Sequence, residues 1–414
     1  MKPKLLTTLA TYDRRQFLHD AIAGATVALV ALPLSIAIAI ASGAPPAAGL
    51  VTAVIGGLLI SALGGSRVQI GGPTGAFIVV VYTVIAKHGF DGLLIATMMA
   101  GVLLVIGGIL GAGRLIRLIP ESVVEGFTIG IAVVIAASQL KDLAGLETGA
   151  LSAEFIPKIE ALWAARASLD LPSLLVGIAT IAGILLVRHF APQFRGRVLV
   201  VIVASVLAAV ALPSIETVTG RFGELPHGLP WPSLPAVTTD RLIELAPAAI
   251  TIALLAGIES LLSALVADRM IGSAHRSSAE LLAQGAANIA SPLFGGLPAT
   301  GAIARTATNV EAGGRTPMAG IMHALFILAA MAAFAPLTGE LALPALAGLL
   351  VVTAWAMSEP ERWGERFSMP RAELALLAAT AAMTVFLDLT VAIVAGTVAG
   401  HALRKWDGIR RNGA

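Results

Sequence analysis

The stretch "GGPTGAF" at residues 71–77 lies between long apolar runs, and "GGLPATGA" at 295–302 repeats its arrangement, again within apolar sequence. Each combines paired glycines, a proline, a threonine and a further glycine. Residues of this kind break helices or start them. A chain that interrupts itself twice in one way, deep inside oily sequence, is placing non-helical backbone there for a purpose. The rest of the sequence says where "there" is.

The chain has 414 residues, 57% of them hydrophobic and 13% charged, with a mean hydropathy of +0.89. Soluble domains carry about 25% charged residues, so the composition is that of an integral membrane protein, with the lipid bilayer as its surroundings. A net charge of +2 with no concentrated basic patch argues against nucleic acid as a partner. The absence of cysteine excludes disulfides, thiolate metal sites and a cysteine nucleophile, without identifying a compartment. The first 16 residues are polar and the apolar run after them is too long for a signal peptide, so no cleavable leader is read.

A helix crossing a bilayer needs roughly 17–25 mostly apolar residues. Such spans are predicted at 17–41, 46–63, 91–112, 121–139, 171–188, 197–212, 242–267, 277–292, 317–334, 341–357, 371–386 and 387–404. Two further segments, 74–87 and 300–312, are too short to cross alone. Each follows one of the Gly/Pro motifs and a short stretch predicted to be extended, "RVQI" (67–70) or "SPLF" (291–294). Counting each strand plus half-helix as one crossing gives fourteen. Residues 152–166 read as an amphipathic interfacial segment, and 213–241, rich in proline and without helical period, as an ordered external loop.

With fourteen crossings both termini share a side. Of the 27 Lys and Arg, only Lys87, Lys141, Lys158, Arg166, Arg221 and Arg241 then fall on the opposite side, and Arg305 falls within the membrane. The other twenty are with the termini, among them Arg114, Arg117, Arg195 and Arg197. The positive-inside rule puts that side in the cytoplasm. Trp163, Trp231, Trp355, Trp363 and Trp406 all lie near span ends, as interfacial tryptophans should.

Thr74 and Thr300 are 226 positions apart, and the seven crossings between their segments invert the second half relative to the first. Paired interrupted segments at matching positions of inverted halves are the best sequence pointer to a transporter site. Non-helical backbone cannot face lipid with its N–H and C=O groups unpaired, so the two short strands are expected to pair near the midplane. Thr74 and Thr300 suit N-cap positions. Each half-helix then begins at mid-membrane with N–H groups and the positive end of its dipole pointing inward, and two such ends make an anion site. Bulk at Gly75 or Gly301 is expected to block it. Packing kinks are the plain alternative for a single motif; two motifs in register favour the site.

Glu259, in "LLAGIESLLSALVAD", lies well within its predicted span, and Arg305, in "TGAIARTATN", lies one turn into the second half-helix. Intramembrane charges are costly and mark function by default. Arg305 is suited to supply fixed positive charge, and Glu259 to carry a coupled proton. A simple structural ion pair between the two is the alternative. His323 and His401 read as packed or interfacial, and the GxxxG spacing in "GGILG" (107–111) as close helix packing. No phosphate loop, zinc-protease or nucleophile-elbow motif is present, so neither an enzyme nor a cofactor nor a metal is indicated. Without nucleotide hydrolysis, the class is a secondary transporter or a channel.

The runs "ATVALVALPLSIAIAIASGAPPAAGL", "GGSRVQIGGPTGAF" and "GFTIGIAVVI", and the long run from "GIESLLSALVAD" through "GGLPATGAIARTATNVEAGGRTPMAGI", resemble the sulfate-permease (SulP) family of anion transporters over essentially the whole chain. The resemblance implies an all-α polytopic protein built as a seven-plus-seven inverted repeat, the fold shared with nucleobase permeases. It implies a core domain of spans 1–4 and 8–11 (residues 1–113 and 242–336) and a gate domain of spans 5–7 and 12–14 (114–241 and 337–414). It further implies transport by movement of core against gate, and a homodimer. The family's anion pocket maps onto the first span at Leu34 and Ile38 and onto the half-helix starts at Thr74, Gly75 and Ala76 and at Gly301, Ala302, Ile303 and Ala304, with Arg305 beside them. Glu259 falls where some relatives place a cation-linked carboxylate. Leu34 stands where many members have glutamine after the proline, which resembles bacterial members and so the bacterial cell membrane. Members usually continue into a cytoplasmic STAS domain, which these 414 residues do not contain; truncation and a member lacking the domain both stay open. The expectation is proton-linked symport (sodium being the lesser option) of a small anion such as sulfate, bicarbonate or a dicarboxylate like fumarate, with a nucleobase permease or an anion channel as rivals.

Overall fold

The computed structural model describes residues 2–113, 120–149, 151–191, 199–387 and 389–412. Arg114, Arg117, Arg195 and Arg197 of the charge count lie outside them, as does the side chain of Trp406. A short helix α1 (Lys4–Thr8) precedes α2 (Arg14–Ala41) and α3 (Pro46–Leu63), followed by strand β1 (Gly71–Gly72) and α4 (Ile78–Ile109). Then come α5 (Glu121–Leu143), α6 (Phe155–Ala164), α7 (Leu171–Phe190), α8 (Leu199–Ala211) and α9 (Val218–Phe222). The second half runs through α10 (Thr239–Ile271), α11 (Ser277–Leu293), strand β2 (Thr300–Gly301), α12 (Ile303–Glu311) and α13 (Pro317–Gly339). It ends with α14 (Leu343–Met357), α15 (Trp363–Phe367), α16 (Arg371–Phe386) and α17 (Leu389–Asn412).

Local chemistry sets these boundaries. Asp13 and Asp170 cap α2 and α7 by accepting from Gln16 N (2.7 Å) and Ser173 N (2.9 Å), and Thr316 caps α13, where Pro317 occupies the first position. At Gly272 the backbone turns left-handed (φ 64°) and α10 stops. Inside α4, Gly89 adopts φ 72° and ψ 177°, so a half-helix ending at His88 is followed by a full helix from Phe90. This matches the predicted division between segments 74–87 and 91–112. The loop 213–241, predicted to be external, is ordered but not wholly irregular: α9 lies within it, capped by Thr217, and Thr217 bridges to Ala342 at the start of α14.

Among the described residues, eight helices are long and apolar enough to cross a membrane, and Leu199–Ala211 and Val391–Leu403 are shorter apolar helices. The protein is a multi-pass, mostly helical membrane protein; the count of fourteen crossings remains a proposal, because α8, α11, α12 and α16 are each shorter than 18 residues.

The helices pack as two groups. In one, α4 lies against α10 and α11, while α2 and α3 lie against α13. In the other, α5 lies against α14 and α16, and α14 against α7. Close approach in the first group is set at Gly101 and Gly285, where an added Cβ would lie 2.8 Å and 2.7 Å from the other's carbonyl oxygen. The GxxxG motif does not do this work. Gly107 would meet only Ala112, at 3.6 Å, and Gly111 (φ 75°) ends the helix with nothing within 4 Å. Two glycines at that spacing pack helices only when both are helical and face a neighbour.

Contacts at the helix ends sort them into two sets. Lys4 N donates to Gly64 O (3.0 Å) and Arg276 Nη1 to Lys2 O (2.7 Å). Asp20 accepts from Arg315 N and Thr316 Oγ1. The N-terminus, the end of α3 and the starts of α2, α11 and α13 therefore share one end. At the other, His88 pairs with Glu244 (2.9 Å) and Arg221 with Asp142 (2.7 Å).

Candidate functional site

The two Gly/Pro interruptions meet. β1 and β2 are antiparallel neighbours, Gly71 opposite Gly301 and Gly72 opposite Thr300, and Ala302 N extends the ladder by donating to Ile70 O (2.9 Å). The strands are Gly71–Gly72 and Thr300–Gly301. In "RVQI", Arg67 and Val68 are bends and Ile70 joins the ladder through its carbonyl, whereas "SPLF" lies at the helical end of α11. The sequence reading placed extended backbone several residues too early because Ser291 and Pro292 look like breakers, yet they sit in the last turn of a helix.

Pairing alone does not satisfy the non-helical backbone. Buried polar side chains complete it. Glu280, at 0% exposure, accepts from Gly65 N (2.9 Å), Ser66 N (3.1 Å), Ser260 Oγ (3.2 Å) and Gln284 Nε2 (3.0 Å). Asn288 clamps Ala299, donating to its oxygen (2.8 Å) and accepting from its N–H (2.9 Å). Asn309 Nδ2 donates to Val68 O (2.8 Å), and Thr306 Oγ1 accepts from Ile70 N (3.1 Å). Leu297 N donates to Thr52 Oγ1 (2.6 Å). The sequence reading missed these residues. The available signal was the polar line Glu280, Gln284, Asn288, Ser291 along one face of α11.

Thr74 occupies the N-cap of a 3-10 turn, Gly75–Phe77, that leads into α4. Its hydroxyl does not cap; it donates to Glu259 Oε2 of α10 (2.8 Å). Thr300 is not an N-cap at all. It lies in β2 with its hydroxyl on Ala256 O (3.0 Å), and Ala302 precedes α12. No side chain caps either start; Phe77 N donates to Thr74 O (3.2 Å), whereas Gly75 N and Ala76 N, and Ile303 N and Ala304 N, have no acceptor among the described residues.

Arg305 is 2% exposed. Its Nη2 donates to Ser35 Oγ of α2 (3.1 Å), while Nε and Nη1 have no partner among the described residues. Gly72 makes room for the guanidinium, since a Cβ there would lie 2.1 Å from Nη1. No ion pair joins Arg305 to Glu259 within 4.0 Å among the described residues; Glu259's hydrogen bond is to Thr74. Direct pairing is thus not what holds either in place. His323 is also buried, on α13 near Gly57, with both ring nitrogens unpartnered.

The remaining candidates divide. Ser35, between Leu34 and Ile38, is the α2 residue that reaches Arg305; Leu34 is partly buried and Ile38 is 2% exposed. Gly75 and Ala76 are buried, and a Cβ at Gly75 would lie 3.2 Å from Ile135 of α5 and 3.4 Å from Met357 of α14. The first start thus faces the other helix group. Gly301 and Ala302 are buried, whereas Ile303 and Ala304 are exposed. A Cβ at Gly301 would lie 1.4 Å from Gln69 Nε2. Gly301 is therefore required by packing, and bulk there tests the fold before it tests a site.

The profile of the Sulfate permease family matches residues 17–380. The chain is 41% identical over 386 residues to the Bacillus subtilis protein provisionally named sulfate transporter YvdB, covering 93% of this chain and 73% of that one. It is 28% identical to the bicarbonate transporter BicA of Picosynechococcus, over 94% of this chain and 70% of that one. These relatives are named as transporters, not enzymes. The solved transmembrane domain of a cyanobacterial BicA superposes with a TM-score of 0.83 at 29% identity, covering 92% of this chain and 98% of that domain. Murine Slc26a9, an anion transporter solved in its inward-facing state, shares the fold with a TM-score of 0.87 at 16% identity, over 97% of this chain and 71% of that one.

Proposed function

The chain belongs to the sulfate permease family, and from that premise we propose that it is a secondary transporter that binds a small anion between the two half-helix starts. The observation that carries this reading is the pairing of Gly71–Gly72 with Thr300–Gly301, which sets two uncapped helix starts side by side with the incompletely bonded guanidinium of Arg305 next to them. An anion would accept from those N–H groups and be balanced by the buried cation. Thr74, Gly75 and Ala76 would line one side and Ala302, Ile303, Ala304 and Arg305 the other, with Leu34 and Ile38 along α2. Relatives named for sulfate and bicarbonate make those the first substrates to test, with dicarboxylates next.

Fourteen crossings, both termini in the cytoplasm and a bacterial cell membrane complete the proposal. The two packing groups correspond to a core (1–113 and 242–336) that slides against a gate (114–241 and 337–414), within a homodimer. Glu259, joined to the first start through Thr74, would take up a proton, or sodium, together with the anion. The test is uptake of labelled sulfate, bicarbonate, fumarate and uracil into proteoliposomes, with and without proton and sodium gradients. Saturable uptake of an anion is expected, raised by one gradient. Uptake of uracil alone would make the chain a nucleobase permease, and non-saturating conductance would make it a channel.

A further inference from the structure

Lys158 is a buried cation that the half-helix site does not use. It lies on α6, is 4% exposed, and belongs to the helix end away from the termini. Its ammonium donates to Ser138 Oγ of α5 (3.0 Å) and lies 5.2 Å from the centroid of the Tyr82 ring on the first half-helix. Among the described residues no carboxylate comes within 4.0 Å of it, and Glu154 and Glu160, on either side of it in sequence, are exposed. A buried ammonium ordinarily has a carboxylate, because desolvation is costly; here a hydroxyl and a ring face stand in, and burial lowers the lysine's pKa.

Position gives this unmatched charge a meaning. Ser138 is three residues beyond Ile135, which faces Gly75, so it lies roughly 4.5 Å further along the same helix. Tyr82 lies about 12 Å along the first half-helix from its start, and its hydroxyl donates to Leu151 O (2.5 Å), tying the chain before α6 to that half-helix. Lys158 thus bridges the two helix groups at the outer lip of the candidate site. At the neighbouring seam, Ala37 and Ile40 of α2 face Gln139 and Asp142 of α5 and Leu343, Leu346 and Leu350 of α14 across a gap of about 10 Å³, room for about one water, with Asp142 held by Arg221 (2.7 Å).

We propose that Lys158 is an outer anion-binding station: Ser138 and Tyr82 hold its ammonium while the seam is closed, and a small oxyanion entering from that side becomes its counter-charge when the seam opens. The proposal rests on the anion-transport reading above. The test uses the reconstituted full chain with labelled sulfate and bicarbonate as probes. Lys158→Met should raise the KM for uptake from the Lys158 side about ten-fold or more, the effect of losing one charged hydrogen bond, and Lys158→Arg should stay within about two-fold of the parent. The chain has no cysteine, so Lys158→Cys gives a charge test on folded, purified protein. Attaching an aminoethyl group through a methanethiosulfonate should restore the KM, and attaching an ethylsulfonate should not. Equal effects of the two reagents, or failure of residue 158 to be labelled during turnover, would overturn the proposal, as would an unchanged KM in folded Lys158→Met. If the parent protein moves neither probe, the transport reading itself falls; if the parent transports and the variants match it, the outer station alone falls.

Discussion

The two half-helix starts share a backbone plan and differ in surroundings. The first, Thr74 to Phe77, presents Gly75 to Ile135 and Met357 of the opposing helix group, and its hydroxyl reaches Glu259. The second, Ala302 to Arg305, is held within its own group. Gln69 fills the space at Gly301, and Ser35 and Gly72 enclose the guanidinium. One inverted repeat has supplied a contact with the opposing helix group on one side and an enclosed charge on the other. A moving gate would then slide past the first start while the second keeps its geometry.

The sharpest break between them should be in folding. Gly301→Val puts a branched side chain where Gln69 Nε2 lies 1.4 Å from the first added carbon, so no monodisperse protein is expected by size-exclusion chromatography. Gly75→Val meets Ile135 and Met357 at 3.2–3.4 Å, contacts that move by a few tenths of an ångström. That variant should fold and lose most transport if, as proposed, the gate slides past this start. Two variants that fold equally well would erase the asymmetry.

Charge is the next largest difference. Arg305→Met should weaken anion binding by about 100-fold or more, since two guanidinium donors without a partner among the described residues are removed and each charged hydrogen bond contributes about 1.5–3 kcal/mol. Isothermal titration with sulfate on detergent-purified protein reads this. Arg305→Lys should recover part of it as a point charge without the fork. Full affinity in Arg305→Met would mean that backbone N–H groups alone hold the anion.

This asymmetry was only half legible in the sequence. The repeat, both interruptions and the kink between residues 87 and 91 could be read, because Gly and Pro act locally and apolar runs have a length set by the bilayer. Arg305 and Glu259 stood out as charges in oil. What could not be read depended on side chains meeting across more than 200 residues. The polar line on α11 marks Glu280, but its partners Gly65 and Ser66, like Val68 for Asn309 and Gln69 for Gly301, leave no local trace. Thr300 looked like Thr74 in sequence, yet the strand register places it two residues before the cap, Ala302. The neighbour of Arg305 on α2 was missed by a single position, because a helix face is decided by packing rather than by which residues flank a proline.

Coupling should separate the starts by a smaller and more selective effect. Glu259→Gln keeps an acceptor for the Thr74 hydroxyl and removes the ionisable group. Anion exchange at equal pH should persist, while the gradient-driven rise in uptake disappears. Retained gradient dependence in the folded variant would move coupling to another group. Loss of exchange as well would return Glu259 to a structural role.

The smallest expected effect isolates the one hydrogen bond that the first start has and the second lacks. Thr74→Val conserves volume and removes the donor to Glu259 Oε2, a bond worth about 0.5–1.5 kcal/mol, hence a two- to ten-fold fall in gradient-driven uptake. Thr74→Ser keeps the hydroxyl and should remain within about two-fold of the parent. Ala302, the matching position before α12, has no hydroxyl and its start no side-chain cap, so Ala302→Ser should change coupling less than Thr74→Val does. A double-mutant cycle then shows whether the bond transmits anything. If Thr74 acts through Glu259, Thr74→Val should have almost no further effect in the Glu259→Gln background, because coupling is already gone. If the losses simply add, Thr74 acts on the anion directly. The first start would then be an ordinary half of the site, and the division between a coupling end and a charge end would have to be given up.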